Sequence, residues 1–163
     1  VRPLNREDSA AARTGLIVAS LELAAERSDD IVPLVYERLF ARRADLRSLF
    51  AIDAGSVPRT GMGNMVNEVV RLLLAEDAAA LETEAQAAVV FHVGWGLDVD
   101  MYGDVLHSLV SAVREVCADG WTPAMAQAWD LRLAEVLEAL GRHHETIEGP
   151  LVTPGRPEPR RPV

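Results

Sequence analysis

Residues 83–102 read TEAQAAVVFHVGWGLDVDMY. Thr83 and Gln86 have the spacing of a capping box, which predicts a helix opening at Thr83. Ala85, Ala88, Val89 and His92 then fall at i, i+3, i+4 and i+7, so they share one face. That face is small and apolar until it reaches the imidazole. Gly94 and Gly96 release the chain, and Tyr102 begins a new helix. Small side chains let a flat group approach closely, and His92 offers it one good ligand atom. Taken alone, such a histidine is more often a core residue bonded to a backbone carbonyl. The flanking segments have to carry the choice.

Those segments are helical almost throughout. Residues 1–8 read as a loose, polar N-terminus. Ser9 is the predicted cap of a helix to about Arg27, with Leu16, Ile17, Ser20, Leu21 and Ala24 on one side. Ser28, Asp29 and Asp30 offer caps for a second helix to about Arg42, and Pro33 is tolerated only in its first turn. Its stripe of Val32, Val35, Tyr36, Leu39 and Phe40 places the Tyr36 hydroxyl on a buried side. A basic turn at residues 42–45 leads to a short helical piece with Leu46, Leu49 and Phe50, and residues 51–60 form a loop. The next helix spans Gly61 to Ala75, with Met62, Met65, Val66, Val69, Val70 and Leu73 inward. Glu76 to Leu81 reads as a short connection to the histidine helix.

Beyond the two glycines, Asp100 is the predicted cap of a long helix. Tyr102, Val105, Leu106, Leu109, Val113 and Val116 face inward, and Asp119-Gly120 closes it. Thr122-Pro123 reopens the chain as an N-cap with proline at the first helical position. The last helix carries Met125, Trp129, Leu133, Val136, Leu137 and Leu140, then Arg142-His143-His144. The prolines and arginines of residues 149–163 cannot build a core and read as a disordered tail. The fold class is all-α, in one domain over residues 9–148.

Composition narrows the function. The 163 residues carry a formal net charge of −9, so the basic footprint of a nucleic-acid binder is missing. All 16 basic residues are arginine. Cys117 is the lone cysteine, which excludes an intramolecular disulfide and a zinc cluster of cysteines. No apolar run approaches the roughly 20 residues of a membrane span. The N-terminal residues lack the apolar core of a signal peptide, so a cytoplasmic protein is expected.

The residues that decide are Tyr36, Phe50, His92, Tyr102 and Trp129. The segment VYERLFARRADLRSLF, residues 35–50, resembles the second and third helices of bacterial single-domain haemoglobins and of the haem domain of flavohaemoglobins. In that family a distal tyrosine is followed by a phenylalanine fourteen residues on, as Tyr36 is by Phe50. The proximal histidine comes 42 residues after that phenylalanine, and His92 does so here. A tyrosine ten residues later matches Tyr102, and a tryptophan early in the last helix matches Trp129. The resemblance covers about residues 14–146.

It implies a globin fold, a helical bundle around a haem pocket, with haem b (iron protoporphyrin IX) as cofactor. His92 is then the iron ligand and Tyr36 the distal hydrogen-bond donor. Phe50, Met65, Val69, Val89, Trp95, Leu97, Val105 and Leu109 would wall the haem, with Tyr102 on the proximal side. Aligning Met65 and Val69 toward the haem puts Gly61 at the position where the family often has glutamine. An ungapped count puts Thr60 there and would aim Asn64 and Glu68 at the haem face. The family's glutamate partner of the proximal histidine aligns with His144, or with Glu145 after a one-residue shift. His107 and His143 read as solvated surface residues and Cys117 as core filler.

The expected function is reversible binding of dioxygen, and of NO and CO, at ferrous haem. NO dioxygenation to nitrate is also implied, and it would need a reductase in trans as electron source. A globin-fold gas sensor or interaction module, or simple oxygen storage and delivery, are the other readings. The chain is expected to act as a monomer or homodimer.

Overall fold

The computed structural model describes residues 6–47, 59–93 and 98–147. Among these it has six α-helices and no strand, so the all-α expectation holds. They are α1 (Arg6–Arg27), α2 (Val32–Arg42), α3 (Arg59–Leu73), α4 (Ala78–Val93), α5 (Val99–Cys117) and α6 (Pro123–Ile147), with short 3-10 turns at Ala44–Leu46 and Ala118–Gly120. The tail at residues 149–163 lies outside the described residues. No helix among the described residues is long and apolar enough to cross a membrane.

Four helix starts differ from expectation; α3 begins at Arg59, two residues before Gly61 and inside the stretch expected to be loop. Helix α1 begins before Ser9, so Ser9 lies inside it. Helix α4 begins at Ala78, not at Thr83. Asp77 holds that end: its Oδ1 accepts the Ala80 N–H at 2.8 Å and its carbonyl accepts the Leu81 N–H at 3.0 Å. Three successive alanines, the best helix formers, follow directly. Thr83 therefore sits inside the helix, and its hydroxyl donates back to the Ala79 carbonyl at 2.9 Å. Helix α5 is capped by Asp98, whose Oδ1 accepts the Met101 N–H at 2.8 Å. Asp100 falls in the first turn, where a negative charge still favours the helix dipole. The start of α6 is as predicted: Thr122 Oγ1 accepts the Met125 N–H at 3.2 Å, and Pro123 opens the helix.

Helix α4 packs mainly on α6, α2 on α5, and α1 on both α5 and α6. The predicted stripes become the core: Ile17, Val35, Leu39, Leu106, Leu109, Trp129, Val136 and Leu140 are essentially inaccessible. A buried polar cluster joins three helices within it. The Trp129 Nε1–H donates to Ser20 Oγ at 2.9 Å, Ser20 Oγ donates to the Ile17 carbonyl at 2.7 Å, and Cys117 Sγ donates to the Ser20 carbonyl at 3.2 Å. Each polar atom there has a partner, so the cluster fixes helix register without a desolvation penalty.

Arg132 is buried on α6 and was not legible as a core residue. Its guanidinium donates to the carbonyls of Leu73 and Ala75, both at 2.8 Å, and of Leu72 at 3.3 Å. It also pairs with Glu135 at 3.0 Å. These carbonyls end α3, where a helix leaves acceptors unsatisfied and favours a cation. One fork thus ties the foot of α3 to α6. Arg43 bonds Asp104 at 3.1 Å and Arg38 pairs with Glu115, both joining α2 to α5.

Candidate functional site

His92 stands in the last turn of α4, half-buried. Its Nδ1 lies 2.8 Å from the Ala88 carbonyl oxygen. A carbonyl only accepts, so Nδ1 carries a proton and donates it in this bond. The Tyr102 hydroxyl donates to the same oxygen at 3.2 Å. The two rings meet edge to face, with centroids 5.8 Å apart and planes at 86°. Burial, and next the charge of Glu68, push the Tyr102 phenol up to about 12, so it stays a donor.

The imidazole lines a small apolar cleft of about 40 Å3 between α3, α4, α5 and α6. Met65, Glu68, Val69 and Leu72 form one wall, at the i, i+3, i+4, i+7 spacing of a single helix face. Ala88 and His92 form a second, Met101, Tyr102, Val105 and Leu106 a third, and Leu140 closes it from α6. Four predicted residues, Met65, Val69, Tyr102 and Val105, are thus gathered around His92. Val89 and Leu109, also expected as walls, are wholly buried in the core and do not line this cleft. Phe50, Trp95 and Leu97 lie outside the described residues. Gly61 and Thr60 fall in the first turn of α3, where side-chain surroundings are likewise outside them.

Glu68 was expected to point away once Met65 and Val69 face inward. Asn64 does so and is exposed. Glu68, one turn further on and half-buried, instead reaches the cleft beside Met65.

Tyr36 is 2% exposed, as its stripe predicted. Its hydroxyl donates to the Met65 thioether, Sδ at 3.5 Å. Its ring lies 5.6 Å from that of Phe40. Burial raises the phenol's pKa well above its ordinary value, which keeps the proton available for donation. Met65 is therefore the link between the Tyr36 hydroxyl and the cleft holding His92.

The acceptor for His92 is the Ala88 carbonyl, whereas the sequence offered His144 or Glu145 for that place. Glu145 is exposed. His144 is buried and continues the α6 stripe as expected. His143 is not a plain surface residue: it is half-buried, with Nε2 2.8 Å from Glu82 Oε2 on α4. His107 is exposed and Cys117 buried, as read.

The donor set suits a haem. One imidazole stands beside mostly apolar side chains, the chemistry that a porphyrin's iron and its flat apolar ring call for. A bare metal ion would want more protein ligands. Among the described residues no group of three or more His, Cys, Asp or Glu side chains could hold one. A backbone carbonyl was the partner expected of an ordinary core histidine, and it is the kind found here; that it belongs to Ala88 could not be read from the sequence. Glu68 could have been found from its i+3 offset to Met65. Neither a protein-family profile nor a curated protein matches the chain.

Proposed function

We propose that this chain is a globin that holds haem b through His92 and binds dioxygen, NO and CO reversibly. The observation that carries the reading is that the His92 ring lines an apolar cleft with Met65, Val69, Tyr102 and Val105; its bond to the Ala88 carbonyl is one that an ordinary core histidine makes too. The packing of α2 on α5, α4 on α6 and α1 on α6 supports a bundle of the globin kind. Ferrous haem, when bound, supplies an open coordination position for a diatomic gas.

The residues around it have separate tasks. The Ala88 carbonyl sets the tautomer and the orientation of His92, so Nε2 is the coordinating nitrogen. Tyr36 holds a protonated hydroxyl that can donate to a gas atom bearing partial negative charge. The apolar walls exclude water and keep that bond strong.

The acceptor behind His92 is a neutral carbonyl shared with Tyr102, and this favours reversible binding over oxidative turnover. A carboxylate there would draw the Nδ1 proton further and enrich the imidazole in electron density. Dioxygenation of NO is the second reading, favoured by the Tyr36 donor. It combines NO, dioxygen and one electron into nitrate, and the electron comes from a reductase in trans.

Titrating hemin into the purified protein, then reducing it and adding CO or air, tests the proposal. Distinct, interconvertible ferrous, CO and dioxygen spectra are expected. A preparation that stays colourless leaves a haem-free interaction module. Nitrate released on an NO pulse, sustained only with an added reductase, supports the dioxygenase reading.

A further inference from the structure

We infer that Met65 is the positioning residue that sets discrimination between dioxygen and CO, by holding the Tyr36 hydroxyl on a weak acceptor; this rests on the haem-pocket reading. The two side chains come from different helices, Tyr36 from α2 and Met65 from α3, and meet at 3.5 Å. Tyr36 is nearly inaccessible and is not itself a wall of the cleft, whereas Met65 is. The hydroxyl therefore meets the contents of the cleft past the thioether.

Sulfur is a weak acceptor and the methionine side chain is unbranched and adaptable. Such a partner orients the O–H and gives it up readily. A ligand oxygen bearing partial negative charge is the stronger acceptor and takes the bond. Carbon monoxide bears little charge and leaves the O–H on sulfur. The exchange of sulfur for ligand enters the affinity for dioxygen and not that for CO. An amide at this position would hold the hydroxyl harder, and a leucine offers it no acceptor.

The experiment has a haem-free arm and a haem-loaded arm. The chain has two tyrosines, so in haem-free Tyr102→Phe protein the phenol bands of ultraviolet resonance Raman report Tyr36 alone. Adding Met65→Leu is expected to shift those bands toward a phenol that donates to nothing at residue 65. No shift overturns the inference. In haem-loaded protein, Met65→Leu is expected to slow dioxygen release and Met65→Gln to speed it, each by about two- to fivefold. CO release should change less than dioxygen release in both. Both effects should vanish in a Tyr36→Phe background, which a purely structural role of Met65 would not produce. Equal changes for dioxygen and CO, or persistence of the effect without the hydroxyl, overturn it. If Tyr36→Phe alone leaves dioxygen release unchanged, the distal reading itself fails. If that variant speeds release but both Met65 variants match wild type, only the role of Met65 falls.

Discussion

His92 and Tyr102 converge on one oxygen: the imidazole Nδ1–H and the phenol O–H both donate to the Ala88 carbonyl, at 2.8 and 3.2 Å. The acceptor belongs to the helix that carries the histidine, four residues back. The tyrosine comes from α5, so the contact also sets α5 against the end of α4. An oxygen with two donors gives each a weaker bond than it would give one.

Tyr102→Phe should strengthen the remaining bond to His92. In ferrous, haem-loaded protein the iron–histidine stretching frequency is expected to rise, while stability falls by about 1 kcal/mol for the lost hydrogen bond. A frequency equal to wild type would show that the two donors do not compete.

His92→Gly should abolish the native five-coordinate ferrous spectrum. Added imidazole should restore it, because the cavity left keeps its apolar walls and needs only a nitrogen donor. Rescue is read by absorption spectra across an imidazole titration, and a glycine variant with the wild-type spectrum would remove His92 from its assigned role.

Tyr36→Phe should speed dioxygen release by roughly tenfold to a hundredfold, since a hydrogen bond to a charged acceptor contributes about 1.5–3 kcal/mol. Stopped-flow displacement by CO measures it. CO release serves as the control and should change little.

Arg132→Leu should leave the end carbonyls of α3 without their donors. The expected loss is about 2–3 kcal/mol, a fall in Tm of roughly 5–10 °C. Arg132→Lys should recover only part of it, because an ammonium cannot span three carbonyls as the planar fork does. Thermal unfolding followed by circular dichroism separates the three proteins.

Glu82 makes one contribution to stability pH-dependent. A hydrogen bond from Arg142, and a further one from His143, hold its carboxyl below the ordinary carboxylate range, against an opposing effect of burial. A folded-state pKa depressed in this way stabilises above the unfolded value and is lost as pH falls through the folded one. The gap in urea midpoint between wild type and Glu82→Gln should therefore narrow as pH falls from about 5 to about 3. A gap that widens on acidification would reverse the sign assigned to this pair.

The bundle was legible because its cause is periodic. Val35, Tyr36 and Leu39, or Trp129, Leu133, Val136 and Leu140, announce a buried face by spacing alone, and burial then follows. Caps were less legible because neighbouring candidates compete. Asp77 prevails over Thr83 once Ala78 to Ala80 let the helix start early, and Asp98 prevails over Asp100 two residues on. Half of the site could be read from side-chain type: an imidazole, a phenol and the apolar Met65, Val69 and Val105. The other half depends on three-dimensional meetings. The Ala88 carbonyl, the thioether opposite Tyr36 and the arginine under α3 have no sequence signature, since each is defined by what lies across from it.

The cluster of Trp129, Ser20 and Cys117 has an optical consequence. An indole wholly shut off from water, with its N–H bonded to a hydroxyl, emits at short wavelength, and its emission moves red when water reaches it. Because that ring touches the junction of three helices, its fluorescence in haem-free protein with Trp95 and Trp121 replaced by phenylalanine reports whether the bundle is assembled.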